Sequence, residues 1–175
     1  MALSSGSAEG PAATEDVAQA IRRYEERLVK EPGSLTFAPL ADAYRKAGRT
    51  REAIQLCRGG LERFPEYATA RLVLAKALLD QGETEAALAE VRLILERNPT
   101  DAPAHRLAGE LERVAGRLPE ALHHLRQAAQ LDPSDRESRM LVEALEGGKV
   151  GGASALLRVL GDDTFRTMSF GTIDP

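Results

Sequence analysis

Three segments of this chain, Gly48-Arg49-Thr50-Arg51-Glu52-Ala53, Gly82-Glu83-Thr84-Glu85-Ala86-Ala87 and Gly116-Arg117-Leu118-Pro119-Glu120-Ala121, follow one another at 34-residue intervals. Each is followed at the same distance by a proline: Pro65, Pro99 and Pro133. At average glycine and proline usage, a chance match of both triplets at one period is on the order of one in a hundred thousand. A fixed period of this length marks a stacked array of structural repeats.

Working outward from these landmarks, each repeat reads as two helices. Ser34 is the expected N-cap of a helix through Lys46, with Pro39 near its first turn, where a missing N–H costs least. Gly48 supplies the C-terminal turn, Thr50 caps a second helix from Arg51 to Arg63, and Pro65 stops it. The next repeat gives Tyr67 to Asp80, Gly82, the cap Thr84, and a helix to Arg97. The third gives Ala102 to Ala115 behind Asp101 or Thr100, then a helix opened by Pro119. The short loops force antiparallel neighbours.

Upstream, residues 1–14 are small and polar and read as disordered. From Glu15 to Lys30, Val17, Ile21, Tyr24 and Leu28 mark one face of a helix that Pro32-Gly33 ends. Downstream, Ser134 or Asp135 caps a helix to Glu146, with Met140, Leu141, Ala144 and Leu145 expected on its apolar side. Residues 147–152 read as a Gly-rich linker, followed by a short helix at 154–160 and a tail with Phe165, Met168 and Phe170. The domain reading is thus 1–14, 15–146 with repeats at 34–67, 68–101 and 102–135, and 147–175.

Composition agrees with close-packed helices. Aromatics are 4% of 175 residues and Trp is absent, so Leu, Ala and Val must build the core. That disfavours a β-sandwich, which draws on β-branched and aromatic residues. The net charge of −4 gives no support for nucleic-acid binding. No apolar run reaches the roughly 18 residues of a membrane span. The single Cys57 excludes an internal disulfide and a four-cysteine zinc site. The start of the chain lacks the basic and apolar regions of a secretory signal, so the expected compartment is the cytoplasm. Lysine supplies only four of 23 basic residues, which suggests a GC-rich, bacterial coding sequence.

The repeat resembles the tetratricopeptide repeat. With Ser34, Ala68 and Ala102 as first positions, the small or apolar frame falls at Leu40-Ala41, Leu74-Ala75 and Ala108-Gly109, at Ala53, Ala87 and Ala121, and at Cys57, Val91 and Leu125. The bulky fourth position is Phe37, but Arg71 and His105 in the later repeats; Glu112 and Ile94 also depart from the pattern. The resemblance implies an all-α fold, an α-α superhelix or solenoid of antiparallel helical hairpins: three repeats, a flanking half-repeat and a capping helix. It also implies a concave groove lined by the first helices, which binds a peptide or helix of a partner protein.

Carried over from the family, the groove residues are Leu35, Ala38, Pro39, Asp42, Arg45 and Lys46 in the first repeat. They are Thr69, Leu72, Val73, Lys76, Leu79 and Asp80 in the second, and Pro103, Arg106, Leu107, Glu110, Arg113 and Val114 in the third. The expected partner is apolar with some acidic residues, because basic groove residues outnumber acidic ones. The alternative is that Leu72 and Leu107 pack between repeats and leave little groove. One family subtype grips a C-terminal carboxylate. Its positions here are Ala38, Asp42, Val73, Pro103 and Leu107, none of which can donate a side-chain hydrogen bond to a carboxylate.

No chemistry-bearing motif stands out. His123-His124 point about 100° apart on a helix and do not form a ligand pair. His105 reads as packing or surface, and Cys57 as an inert core thiol. There is no phosphate loop, nucleophile elbow or zinc-protease motif. The expectation is a non-enzymatic adaptor with no cofactor or metal. A pilus- or secretion-type assembly factor is the alternative, and an enzyme subunit a third. Self-association through residues 153–175 is a further reading of the tail.

Overall fold

The computed structural model describes residues 11–147, which form eight α-helices and no strand. In chain order these are α1 (Pro11–Lys30), α2 (Phe37–Lys46), α3 (Thr50–Arg63), α4 (Ala68–Asp80), α5 (Thr84–Arg97), α6 (Ala102–Val114), α7 (Leu118–Leu131) and α8 (Arg136–Glu146). The fold class is all-α, built of antiparallel helical hairpins of the α-α solenoid type. The short helix expected at 154–160 and the 153–175 docking segment lie outside the described residues. The chain divides at Pro99/Thr100 into two compact units, the first holding α1–α5 and the second α6–α8.

The 34-residue period is a hydrogen-bonding device. Gly48, Gly82 and Gly116 have φ of 75°, 79° and 77°, the left-handed region that any side chain would make costly. At each, the glycine N–H donates to the carbonyl three residues back, Arg45, Leu79 or Arg113. The next residue donates to the carbonyl five back: Arg49 to Tyr44, Glu83 to Leu78 and Arg117 to Glu112. This pair of bonds is the Schellman closure of a helix C-terminus. The carbonyls of Arg49, Glu83 and Arg117 then accept the first bonds of the next helix, from Ala53, Ala87 and Ala121. One residue therefore ends one helix and begins its partner.

That economy corrects the expected caps. Thr50 and Thr84 are first helical residues, and neither α3 nor α5 has a side-chain cap; the junction backbone has already fixed the entry. Ser34 does not cap α2, which opens at Phe37 after Thr36, itself already in helical geometry. Pro39 still lies in the first turn, as expected. Pro119 is the second residue of α7, behind Leu118. Of the two candidates at each of the α6 and α8 starts, the aspartate is the cap: Asp101 Oδ1 accepts from Ala104 N–H at 2.9 Å, and Asp135 Oδ1 from Ser138 N–H at 3.2 Å. Helix α1 begins at Pro11, four residues before the expected Glu15, because proline is tolerated at a helix start.

In the first unit, Ala41, Ala53, Ala75 and Ala87 are fully buried, together with Cys57 and Val91. These small side chains let neighbouring helices approach. Gly60 makes the tightest approach, since a Cβ there would overlap the Phe37 ring. Phe37 in turn stacks on Phe64 at 6.0 Å and meets Tyr67 edge-on at 5.8 Å. The expected face of α1 is the one used: Ile21 is buried with Leu40 and Ala43, and Val17, Tyr24 and Leu28 pack against them. Tyr44 Oη ties α2 to α1 by donating to Glu25 Oε1 at 2.7 Å.

In the second unit, Leu111, Ala121, Leu125 and Ala128 are fully buried. Gly109 is required here, because a Cβ would sit 2.6 Å from Leu125 Cγ. On α8, Leu141 and Ser138 are buried, but Met140 is 47% exposed and not part of the apolar side. Arg139, Glu143 and Glu146 are exposed, although their counterparts 34 residues earlier, His105, Gly109 and Glu112, are buried. On α8 these positions are therefore charged and exposed where the third repeat has them buried.

Candidate peptide-binding face

The implied groove residues divide into three groups. Leu35, Thr69, Lys46 and Asp80 are exposed, and Pro39, Leu72, Lys76 and Leu79 are half-buried, all in the first unit. Ala38 and Val73 are buried, and so are not available to a ligand. Helix α4 packs against α2 as well as α3 and α5. In the second unit, Pro103 and Val114 are exposed and Arg106, Glu110 and Arg113 half-buried. Leu107, only 3% exposed, is a core residue. Arg106 lies beside it and reaches across to α8, with Nη1 3.2 Å from Glu137 Oε2.

The basic residues of this face are mostly occupied. Arg45 lies between two carboxylates, with Nε 3.1 Å from Asp42 Oδ1 and Nη1 3.1 Å from Asp80 Oδ2. Lys46 Nζ takes the other Asp42 oxygen at 2.8 Å. Burial pushes the Asp42 carboxyl up, but hydrogen bonding from Lys46 and the charges of Arg45 and Lys46 outweigh it and hold the group below its ordinary value. Burial disfavours the Arg45 charge, yet Asp80 and Asp42 reverse this and raise its pKa. Arg106 is shared among Glu110, Asp135 and Glu137. Among the described residues, no hydrogen bond or ion pair engages Lys76, and Arg113 Nε is buried without a hydrogen-bond partner. The expected excess of positive charge therefore resolves to one cation in each unit.

The polar residues that depart from the family frame, Arg71, His105 and Glu112, are each paired. Arg71 Nη1 donates to Glu90 Oε2 at 2.7 Å, and its Nε and Nη2 donate to the Pro65 carbonyl at 3.2 and 2.9 Å. His105 is buried with Nδ1 3.0 Å from His124 Nδ1, so one imidazole must accept while the other donates. Both pairs are 19 residues apart, as are Phe37 and Leu56, the apolar equivalents in the first repeat. Glu112, also buried, accepts from Arg117 Nε. Neither His105 nor His124 signals this pairing when read singly; the signal lies in comparing the two positions together across the three repeats.

The expected inertness of Cys57 fits its surroundings. It is fully buried on α3, and desolvation pushes its thiol up to about 12. Among the described residues no group of three or more His, Cys, Asp or Glu could hold a metal ion. No helix among them is long and apolar enough to cross a membrane.

Two sequence profiles, each described as tetratricopeptide repeat, match residues 44–111 and 94–136. The chain belongs to the tetratricopeptide repeat family. Solved structures agree in fold. TTC0263, a thermophilic TPR protein in Thermus thermophilus, is 25% identical with a TM-score of 0.69, over 76% of this chain and 74% of that one. MamA 41-end from Desulfovibrio magneticus RS-1 is 19% identical with a TM-score of 0.63, over 75% of each chain. The first TPR of Spaghetti (RPAP3), solved bound to the HSP90 peptide SRMEEVD, is 18% identical with a TM-score of 0.59, over 74% of this chain and 92% of that one. No curated protein sequence matches the chain.

Proposed function

We propose that the chain is a non-enzymatic cytoplasmic adaptor that holds a segment of a partner protein on the open stripe of α2 and α4. The observation that carries this reading is the stripe itself. Leu35, just before α2, and Thr69 are exposed, Leu72 and Leu79 are half-buried on α4, and Lys76 between them on that helix is engaged by no hydrogen bond or ion pair among the described residues. Apolar surface left open beside an uncompensated cation suits an apolar segment carrying a carboxylate. The complex of the RPAP3 repeat with SRMEEVD supports the mode, since that peptide also mixes apolar and acidic residues. It does not support a grip on the chain terminus, because the positions that would form it here offer no side-chain donor.

The test is affinity capture with the full chain, compared with Leu72→Glu and Thr69→Arg. Both variants should keep wild-type helicity by circular dichroism and lose the proteins that wild type captures. Retention of the same proteins by both folded variants would refute the reading.

A further inference from the structure

The first unit carries a cavity beside the candidate stripe. It lies between α1 and α2, has a volume of about 240 Å³, and is walled by Val17, Ala20 and Tyr24 on one side and Pro39 and Ala43 on the other. This is below the roughly 300 Å³ at which small-molecule pockets begin, and of a size for one or two side chains. Its charged surroundings are uneven. Asp42 and Lys46 line it too, but they are paired with each other, and the second Asp42 oxygen is held by Arg45. Asp16 is exposed, and no described residue pairs with it, so it disfavours an acidic residue beside the cavity. Lys76, on the next first helix, favours one.

We propose that this cavity receives one apolar side chain of the partner segment, and that a carboxylate further along the same segment meets Lys76. The inference rests on the adaptor reading above and deepens it. Helices α2 and α4 are packed together, which places their axes about 8–10 Å apart, and the α1–α2 cleft adds roughly half that spacing. Extended chain advances about 3.3 Å per residue, so the apolar residue and the acid stand about four residues apart.

The experiment is selection of phage-displayed random dodecamers on the full chain, with affinities of the selected peptides measured by fluorescence polarisation. The expected result is enrichment of a Leu, Ile, Met or Phe about four residues from an Asp or Glu. Filling the cavity with Ala20→Trp should weaken these peptides about tenfold. Lys76→Glu should exchange the selected acid for Lys or Arg. Replacing the peptide's apolar residue with Ala should cost the same on wild type, and this arm depends on no protein variant folding. Peptides weakened by Leu72→Glu but indifferent to their own apolar residue and to Ala20→Trp would overturn the cavity and leave the adaptor reading standing. Failure to select any peptide would overturn both.

Discussion

Gly59 and Gly60 are neighbours in α3, and alanine at each should move stability in opposite directions. An interior helix glycine costs about 0.8–1.0 kcal/mol relative to alanine, so both substitutions gain this intrinsic term. Gly59 is exposed, and a Cβ there would meet nothing within 4 Å, so that gain stands alone. At Gly60 the Cβ would overlap the Phe37 ring. Phe37 is buried between Phe64 and Tyr67 and has no open side to move into. Overpacking of a closed core costs about 1–3 kcal/mol, and this contact belongs at the upper end. Gly59→Ala should therefore stabilise by about 0.5–1 kcal/mol and Gly60→Ala destabilise by about 1–2 kcal/mol. The assay is thermal and urea unfolding of the full chain followed by circular dichroism. A change of 1 kcal/mol shifts the midpoint about 2–4 °C in a chain of this size. Both sites lie in one helix, so cooperativity between repeats affects them alike. Equal stability of the two variants would refute the packing argument.

Three further outcomes are expected. Asp101→Ala and Asp135→Ala, which remove the caps of α6 and α8, should each cost about 1 kcal/mol in urea unfolding, whereas Thr50→Val and Thr84→Val should not show a capping loss. Asp42→Asn should cost about 1 kcal/mol at neutral pH. Because the folded carboxyl titrates below its ordinary value, that difference should be complete above the usual carboxylate pKa of about 4 and shrink as the pH falls through the folded value, as read in paired melts. Cys57 should react with a maleimide only as fast as the first unit opens, so labelling should be slow in buffer and rapid in urea; complete labelling within minutes in buffer would contradict its burial.

The frame is legible in the sequence because its causes are local and periodic. Three glycines at positive φ and three prolines reset the chain every 34 residues, and Ala53, Ala87 and Ala121 are fully buried between helices. Cap chemistry is legible where side chains perform it, at Asp101 and Asp135, and misleading where backbone does, at Thr50 and Thr84. The ligand face is only partly legible. A residue's place on a helix fixes its direction, but not how far the neighbouring helix covers it, so Ala38, Val73 and Leu107 fall in the groove by position although they are core. Charge behaves in the same way. Arg45 counts as a basic groove residue in the sequence and as a satisfied ion pair in the fold, because Asp80 comes from the next repeat.

The claim that partners bind on the α2–α4 stripe is tested most directly by site-specific photo-cross-linking. A photoreactive phenylalanine analogue is placed at Thr69, exposed on that stripe, or at Leu93, exposed on α5. The account predicts a discrete partner adduct from position 69, abolished by Lys76→Glu, and none from position 93. An adduct from position 93 with none from position 69 would contradict it.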